Sequence, residues 1–274
     1  MPETVDAALR AATARLAEAS ATPRLDAELL MAHILGISRG ALLMGRRDTP
    51  EPRGFAALVA RRVAGEPIAY LTGRRDFWTI SLAVGPGVLI PRPDSETLIE
   101  AAVDHFASRP PARILDLGTG PGTLLLAALD QWPQANGIGV DASAKALTIA
   151  RGNAADLGFG ARVRFVEGDW AEGIDGPFDL VLCNPPYIGT NEVLAVDVVG
   201  HEPAEALFAG IDGLDAYRIV VPQIVRLVAP GGLAALEIGA SQREAVSALF
   251  AAEGESVTCR RDLAGHDRAI LFAR

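Results

Sequence analysis

The sequence predicts an α/β fold, a mostly parallel sheet covered by helices and closed by an antiparallel hairpin, preceded by a small all-helical domain. Three observations carry this prediction. After Pro111, short apolar runs alternate with segments of helical period, the pattern of repeated βα units. A glycine turn, Gly118-Thr119-Gly120-Pro121-Gly122, joins a strand-like run to a helix-like one, as ligand-binding α/β sheets require. The first 65 residues instead place apolar residues only at helical spacing,.

Taken in order, Val5, Leu9, Ala12 and Leu16 mark a first helix. Thr22-Pro23 opens a second with a cap residue and a first-turn proline. Asp26 and Glu28 suit its positive end, Leu29, Leu30, Ile34 and Leu35 give its buried stripe, and Gly36 ends it. His33, among those apolar positions, reads as a packed histidine. Gly45 to Pro52 reads as a loop and Phe55 to Val63 as a helix closed by Gly65. Phe77 to Val84, Gly85-Pro86-Gly87 and Val88-Leu89-Ile90 predict a hairpin, stopped by Pro91 and Pro93 before a helix from Ser95 to Phe106. Strands are expected at 113–117, 137–140, 163–166, 179–183 and 233–238, with helices at 123–129, 145–157, 215–228 and 242–252. Two last extended runs, 256–260 and 269–272, form the closing hairpin. The expected organisation is a helical domain over 1–75, a β-hairpin linker over 76–93 and the α/β domain over 94–274.

Composition narrows the class. Half of the 274 residues are hydrophobic, enough for a full core without staples. The longest stretch free of charged residues, Phe77 to Pro91, is 15 residues, too short for a membrane span. The first residues lack an export signature, and Cys183 and Cys259 form no disulfide framework; the expected location is the cytoplasm. The four histidines and two cysteines show no metal-ligand spacing. Residues 1–75 hold 11 arginines against 8 acidic residues, a balance of +3, while the rest holds 14 basic against 26 acidic residues, −12. A body at −12 repels nucleic acid over most of its surface, although a local patch can override a net charge. Lys145 is the sole lysine beside 24 arginines, which reflects a GC-rich coding bias.

Four features fall at strand ends. The glycine turn can bring backbone N–H groups close to a ligand beside a helix N-terminus; it lacks both the full dinucleotide fingerprint and a P-loop lysine. Asp141, some 20 residues on, is placed to accept both hydroxyls of an adenosine ribose, with helix N-capping as the alternative. Asp169-Trp170 follows the third strand, where an acid and an aromatic would meet an adenine, or where Trp170 simply packs. The fourth is Asn184-Pro185-Pro186-Tyr187, a run expected by chance on the order of once in 100,000 positions.

That run has a chemical reading. An amide or exocyclic nitrogen is a poor nucleophile because its lone pair is delocalised. Two acceptors aimed at its N–H groups, the Asn184 side-chain oxygen and the Pro185 carbonyl, orient it and stabilise positive charge developing during attack. The prolines stiffen the backbone, and the Tyr187 ring can pack on the planar group. The matching electrophile is a methyl carried on a sulfonium, as in S-adenosylmethionine. Such a transfer needs no metal, nucleophile or dedicated base. Asp116 and Glu237, also at strand ends, could reach the donor's amino group or serve the structure.

With these residues in view, the whole chain resembles the bacterial protein-(glutamine-N5) methyltransferases of peptide chain release factors, the PrmC or HemK family. The resemblance covers the helical N-terminal domain, Leu89-Ile90-Pro91-Arg92-Pro93-Asp94-Ser95-Glu96, Asp116 to Gly120, Asp169-Trp170, Asn184 to Tyr187, Glu202-Pro203 and Leu236-Glu237-Ile238-Gly239. It implies a class I, Rossmann-like methyltransferase that uses S-adenosylmethionine and releases S-adenosylhomocysteine. Gly118, Thr119, Gly120, Pro121, Gly122, Asp141, Asp169, Trp170 and Asn184 would contact that cofactor. Asn184, Pro185, Pro186 and Tyr187 would hold the substrate glutamine, with Asn184, Pro185 and Tyr187 catalytic. The implied partner is a class I release factor, methylated in its Gly-Gly-Gln loop and engaged with help from the helical domain. No nucleic acid, membrane or metal is expected, and the chain is expected to be a monomer. Pro121 departs from the family's usual Ser or Thr and removes a backbone donor.

Two other classes are compatible with parts of this pattern. A nucleic-acid amino-methyltransferase would need a basic stripe with stacking aromatics; residues 1–75 offer the pairs Arg46-Arg47, Arg61-Arg62 and Arg74-Arg75 but only Phe55 and Tyr70. A non-catalytic S-adenosylmethionine-binding adapter would have no use for an intact Asn-Pro-Pro-Tyr run.

Overall fold

The computed structural model describes residues 4–45, 48–192 and 200–274; Arg46, Arg47 and the first three residues, all used above, lie outside them. The chain divides into two compact units, with the main boundary between Arg74 and Arg75.

In the first unit, Thr4 caps α1 (Val5–Leu16) by accepting from the Ala7 N–H, and Val5, Ala8, Leu9, Ala12 and Leu16 face inward. Helix α2 (Pro23–Leu35) buries Ala27, Leu30 and Met31 against them and ends at Gly36, whose φ of 63° is left-handed. Two further short helices, α3 (Arg39–Met44) and α5 (Ile68–Thr72), flank α4 (Phe55–Val63); α3 falls just before the expected loop. His33 is exposed rather than packed, since it sits off the Ala27-Leu30-Met31 stripe. Asp26 and Glu28 do more than complement the helix end. Asp26 is buried and takes the Arg62 Nε at 2.7 Å, while Glu28 takes Arg24 and Arg39 at 2.5 and 2.8 Å. Burying a carboxylate is tolerated only with such partners.

The second unit begins with a hairpin of β1 (Arg74–Phe77) and β2 (Ile80–Ala83). Its turn is Trp78-Thr79, with Trp78 at φ 54°, and not the expected Gly85-Pro86-Gly87. Two-residue hairpin turns favour positive φ at their first position, and here the Glu96 carboxylate secures the turn by accepting the Trp78 N–H at 2.8 Å. Val88-Leu89-Ile90 is therefore no strand: the Ile90 N–H is bound by the buried Glu202 carboxylate at 2.9 Å instead of by a strand partner. Phe77, Ile80 and Leu82 join the core beside Leu98, Leu124 and Leu125, so the hairpin packs as part of this unit.

A 3-10 turn (Pro93–Ser95) leads into α6 (Glu96–His105). Then β3 (Arg113–Leu117), α7 (Thr123–Gln131), β4 (Asn136–Asp141), α8 (Ala144–Asp156), β5 (Val163–Glu167), β6 (Phe178–Cys183) and β7 (Val228–Glu237) follow, with helix Asp215–Leu227 before β7 and helix Arg243–Ala252 after it. The last strands are β8 (Thr258–Arg261) and β9 (Asp267–Ala273). The sheet order is β5-β4-β3-β6-β7-β9-β8. The first five strands are parallel, and β9 runs antiparallel to both β7 and β8. Apolar clusters lie on both faces, one around Leu125, Leu126 and Leu180, the other around Leu117, Val181 and Tyr217. Doubly covered strands of this kind read as continuous apolar runs, as β6 does. Among the described residues, no helix is long and apolar enough to cross a membrane.

Candidate active site

Register brings the functional positions together. Leu117 lies beside Val140 on one side and Cys183 on the other, Asp141 beside Glu167, and Cys183 beside Leu236. Gly118, Asp141, Gly168 to Trp170, Asn184 and Glu237 thus emerge along one edge, at the carboxyl ends where parallel sheets bind ligands.

A cavity of about 560 Å³ opens there. Gly118, Gly120, Val140, Asp141, Trp170 and Asn184 are among its walls, with Asp169, Ser143, Lys145 and Pro186 contributing. Gly118, Gly120 and Gly122 all have positive φ, at 69°, 56° and 88°, a region that glycine enters at no steric cost. The loop is held from the cavity wall itself. One Asp141 oxygen accepts the Gly120 N–H and the other the Ser143 N–H, each at 2.8 Å. Ser143, not Asp141, caps α8 through its hydroxyl. Each carboxylate oxygen retains a lone pair for the cavity. The Trp170 ring covers Gly118 closely enough that a Cβ there would stand 3.5 Å from it.

Below the loop, Asp116 is 1% exposed and accepts from the Thr119 hydroxyl at 2.6 Å and the Leu125 N–H at 3.2 Å. Burial pushes its carboxyl up to about 7, although those two hydrogen bonds oppose the rise,. Thr119, Pro121 and Gly122 do not line the main cavity. The Thr119 side chain turns inward to Asp116, and Pro121 presents its carbonyl to Asn153 at 2.9 Å. Asn153, in α8 and 2% exposed, also grips both backbone groups of Ala83, donating at 3.1 Å and accepting at 2.7 Å. Asn153→Ala strands the buried Pro121 carbonyl and the half-buried Ala83 groups, at about 1–3 kcal/mol for an unsatisfied buried group. The expected result in chemical denaturation is a loss of about 2–4 kcal/mol in unfolding free energy; a loss too small to resolve would contradict this role.

Asn184 lines the cavity and donates its Nδ2 to the Ser95 hydroxyl at 3.1 Å. Pro186 lines it too, whereas Pro185 is buried and Tyr187 is half-buried behind it. The Tyr187 hydroxyl donates to the Glu237 Oε1 at 3.5 Å, and burial pushes its pKa up to about 12, so it stays neutral. Gln242 fixes the run from its far end: its Nε2 donates to the Tyr187 carbonyl at 2.9 Å and its Oε1 accepts the Gly239 N–H at 2.9 Å. Gln223 does the same for the tryptophan loop, accepting the Ala171 N–H at 2.8 Å. Asn153, Gln223 and Gln242 were invisible as site residues in the sequence, where nothing marks a carboxamide in a helix, or just before one, as a loop clamp. Ser95 and Glu202 were visible only inside longer motifs. Among the described residues, no cluster of three His, Cys, Asp or Glu side chains could hold a metal.

Comparison with known proteins accounts for this arrangement. Residues 7–73 match a PrmC N-terminal domain and residues 109–254 a methyltransferase domain. The release factor glutamine methyltransferase of Rhodospirillum rubrum is 43% identical over 258 residues, covering 92% of this chain and 79% of the relative. The chain belongs to the release factor glutamine methyltransferase family. A member from Mycolicibacterium smegmatis is 42% identical over 97% of this chain and 96% of its own. The methyltransferase shares its fold with the catalytic domain of hMettl16, at a TM-score of 0.56 and 13% identity, over 70% of this chain and 75% of that one. A ribosomal protein L11 methylase from Lactobacillus delbrueckii gives 0.51 and 19%, over 67% and 80%. The α/β unit is thus a class I, Rossmann-like methyltransferase, and the enzyme depends on S-adenosylmethionine. The cavity suits that molecule in three ways: its volume is that of a small-ligand pocket, the Asp141 carboxylate offers acceptors for hydroxyls, and Trp170 offers an aromatic face.

Proposed function

We propose that this enzyme methylates the side-chain amide nitrogen, N5, of the glutamine in the Gly-Gly-Gln motif of class I peptide chain release factors, and so modulates translation termination. The observation that supports this most is the placement of Asn184 and Pro186 in the same cavity wall as Gly118, Asp141 and Trp170. Gly118, Gly120, Asp141, Asp169 and Trp170 would hold S-adenosylmethionine there, with Asn184 at the donor end. When bound, S-adenosylmethionine supplies an electrophilic methyl on a sulfonium.

The chain's own residues then have to orient a weak nucleophile. The Asn184 Oδ1 and the Pro185 carbonyl accept the two N–H groups of the substrate amide, turning its nitrogen lone pair toward the methyl. The Tyr187 ring braces the planar amide. As the nitrogen–carbon bond forms and the sulfur–carbon bond breaks, the same acceptors stabilise the growing positive charge, and one N–H proton leaves to water. Fixing both partners in this geometry can supply about 7–11 kcal/mol of the barrier. Thr119, Pro121 and Gly122 act one layer back, shaping the loop. Residues 1–75, with their +3 balance, would help engage an acidic surface of the release factor, and the enzyme would act in the cytoplasm as a monomer without binding nucleic acid.

The test is incubation with S-adenosylmethionine and a class I release factor. A single added methyl on the Gly-Gly-Gln glutamine is expected by peptide mass spectrometry. Methyl incorporation into DNA or ribosomal RNA, with none into the release factor, would replace this reading by the nucleic-acid one.

A further inference from the structure

The Glu202-Pro203 step, singled out in the sequence, has no part in the chemistry just described. The Glu202 side chain is 1% exposed. Its Oε2 accepts the buried Ile90 N–H at 2.9 Å, and its Oε1 accepts from the Arg92 guanidinium. One carboxylate thus joins two stretches of chain 112 residues apart. Both stretches are wall of the main cavity: Gly87, Val88 and Leu89 run up to the Ile90 anchor, and Pro203, Glu205 and Ala206 follow Glu202. Beyond the anchor, the first stretch reaches Ser95, whose hydroxyl accepts the Asn184 Nδ2 at 3.1 Å. Between those ends, Leu89, Pro91 and Arg92 face the glycine loop across a small cleft.

We propose that Glu202 is a positioning residue for methyl transfer, fixing the outer wall of the cofactor cavity and, through residues 90–95, the Asn184 carboxamide. This rests on the reading of the cavity as the S-adenosylmethionine site and of Asn184 as an acceptor for the substrate amide. The segment cannot hold itself in place. Among the described residues it pairs with no strand, and Pro91 and Pro93 have no N–H to offer one. The same prolines fix the backbone around them, and the Ser95 N–H closes a turn onto the Arg92 carbonyl at 3.2 Å. Residues 90–95 are thereby a short, stiff arm. A shift at Ile90 is passed on to Ser95 rather than absorbed along the way.

Other contacts steady this arm without replacing its anchor. Arg75 donates its Nε to the Pro91 carbonyl at 3.2 Å. Arg268 pairs with Asp94 at 3.3 Å, but Asp94 is 54% exposed, and water weakens such a pair. The Lys145 stem lies over Gly87, where a Cβ would stand 2.7 Å from it. None of these accepts the Ile90 N–H. A buried donor left unpaired costs more than the bond itself contributes, so without Glu202 the segment rearranges until that N–H meets water. Leu89 then leaves the cavity wall, and Ser95 loses its hold on Asn184.

The experiment uses the full-length enzyme, S-adenosylmethionine and a class I release factor. Calorimetry gives the cofactor dissociation constant and the number of competent sites, methylation assays give kcat per competent site, and amide hydrogen exchange reports local order. Glu202→Ala is expected to weaken cofactor binding and to lower kcat, each by at least about tenfold, the scale of one buried donor left unpaired. Exchange at the Ile90 amide should quicken by at least about tenfold, while the Leu115 and Val181 amides of the central sheet stay slow, the mark of a local opening. Glu202→Gln keeps an oxygen for Ile90 but turns an NH₂ toward Arg92, which is 37% exposed and able to turn into water. It should recover most of both losses. Unchanged affinity and kcat per site in Glu202→Ala, or a Glu202→Gln variant as impaired as Glu202→Ala, would overturn the proposal. If Glu202→Ala fails to fold, wild type and Glu202→Gln decide: a protected Ile90 amide in both supports the anchor, and rapid exchange in either overturns it. Should Asn184→Ala be inactive while Glu202→Ala stays fully active, the positioning role fails and the Asn184 reading stands. Should Asn184→Ala keep full turnover, the Asn184 reading fails and takes the turnover half of the proposal with it.

Discussion

Asn184→Ala is expected to lower turnover by about 100- to 1,000-fold, or about 3–4 kcal/mol, the cost of removing one oriented polar group from a preorganised site. Cofactor affinity should change much less, because Asn184 is one wall residue among many, beside Gly118, Gly120, Asp141 and Trp170. The fold should also survive. The lost side chain has one hydrogen-bond partner of its own, Ser95, worth about 1 kcal/mol. Steady-state kinetics with a release factor and calorimetry with S-adenosylmethionine separate the two effects. Unchanged turnover would remove Asn184 from the chemistry, and an equal loss in both measurements would make it a cofactor residue only.

Gly213→Ala should have the largest effect on the fold of any single methyl added near the site. Gly213 has φ 72°, where a side chain costs about 1–2 kcal/mol. Its Cβ would stand 2.3 Å from the Tyr187 carbonyl oxygen and 2.9 Å from the Gln242 Nε2. That carbonyl belongs to backbone and cannot swing aside, so the Tyr187 end of the motif must move and the Gln242 clamp must open. Overpacking adds about 1–3 kcal/mol, giving a combined loss of about 2–5 kcal/mol in chemical denaturation. Turnover should fall at least about tenfold, since small displacements of positioning groups are costly. Gly120→Ala is the comparison. Its φ is 56° but nothing lies within 4 Å of its Cβ, so it should show only the conformational cost. Equal stability losses in the two variants would refute the clash.

The parts of the fold that could be read in advance are those written locally. A strand, a glycine turn and a helix occupy consecutive residues around Gly118, and the Asn184 run follows its strand directly, so both could be placed at a sheet edge before any tertiary contact was known. The hairpin was misplaced because glycine and proline are the strongest local turn signals, whereas Trp78 and Thr79 turn under the control of Glu96, 18 residues away. Helices α3 and α5, of six and five residues, are too short to show a period. The clamps were hidden by distance. Asn184 and Ser95 are 89 residues apart, Gln242 and Tyr187 55, and Asn153 and Ala83 70. Only the fold shows that these side chains meet. The same holds for Asp26, whose helical position suggested a dipole role until Arg62, 36 residues on, proved to be its partner.

The three loops that enclose the cavity share one feature of their restraint. Each is tied down by a neutral carboxamide, Asn153 on Pro121, Gln223 on Ala171 and Gln242 on Tyr187. Carboxamides neither titrate nor depend on a counter-ion, so these ties are indifferent to the proton and salt concentrations that weaken exposed ion pairs. These three ties thus give the loops a restraint that is insulated from the medium, beside the Asp141 carboxylate that holds the Gly120 N–H. Chemical ageing has the opposite profile. Hydrolysis of any one of these amides would place a carboxylate against a loop: at Pro121 or Tyr187 it would face a carbonyl with no proton to offer, and a tie would become a repulsion.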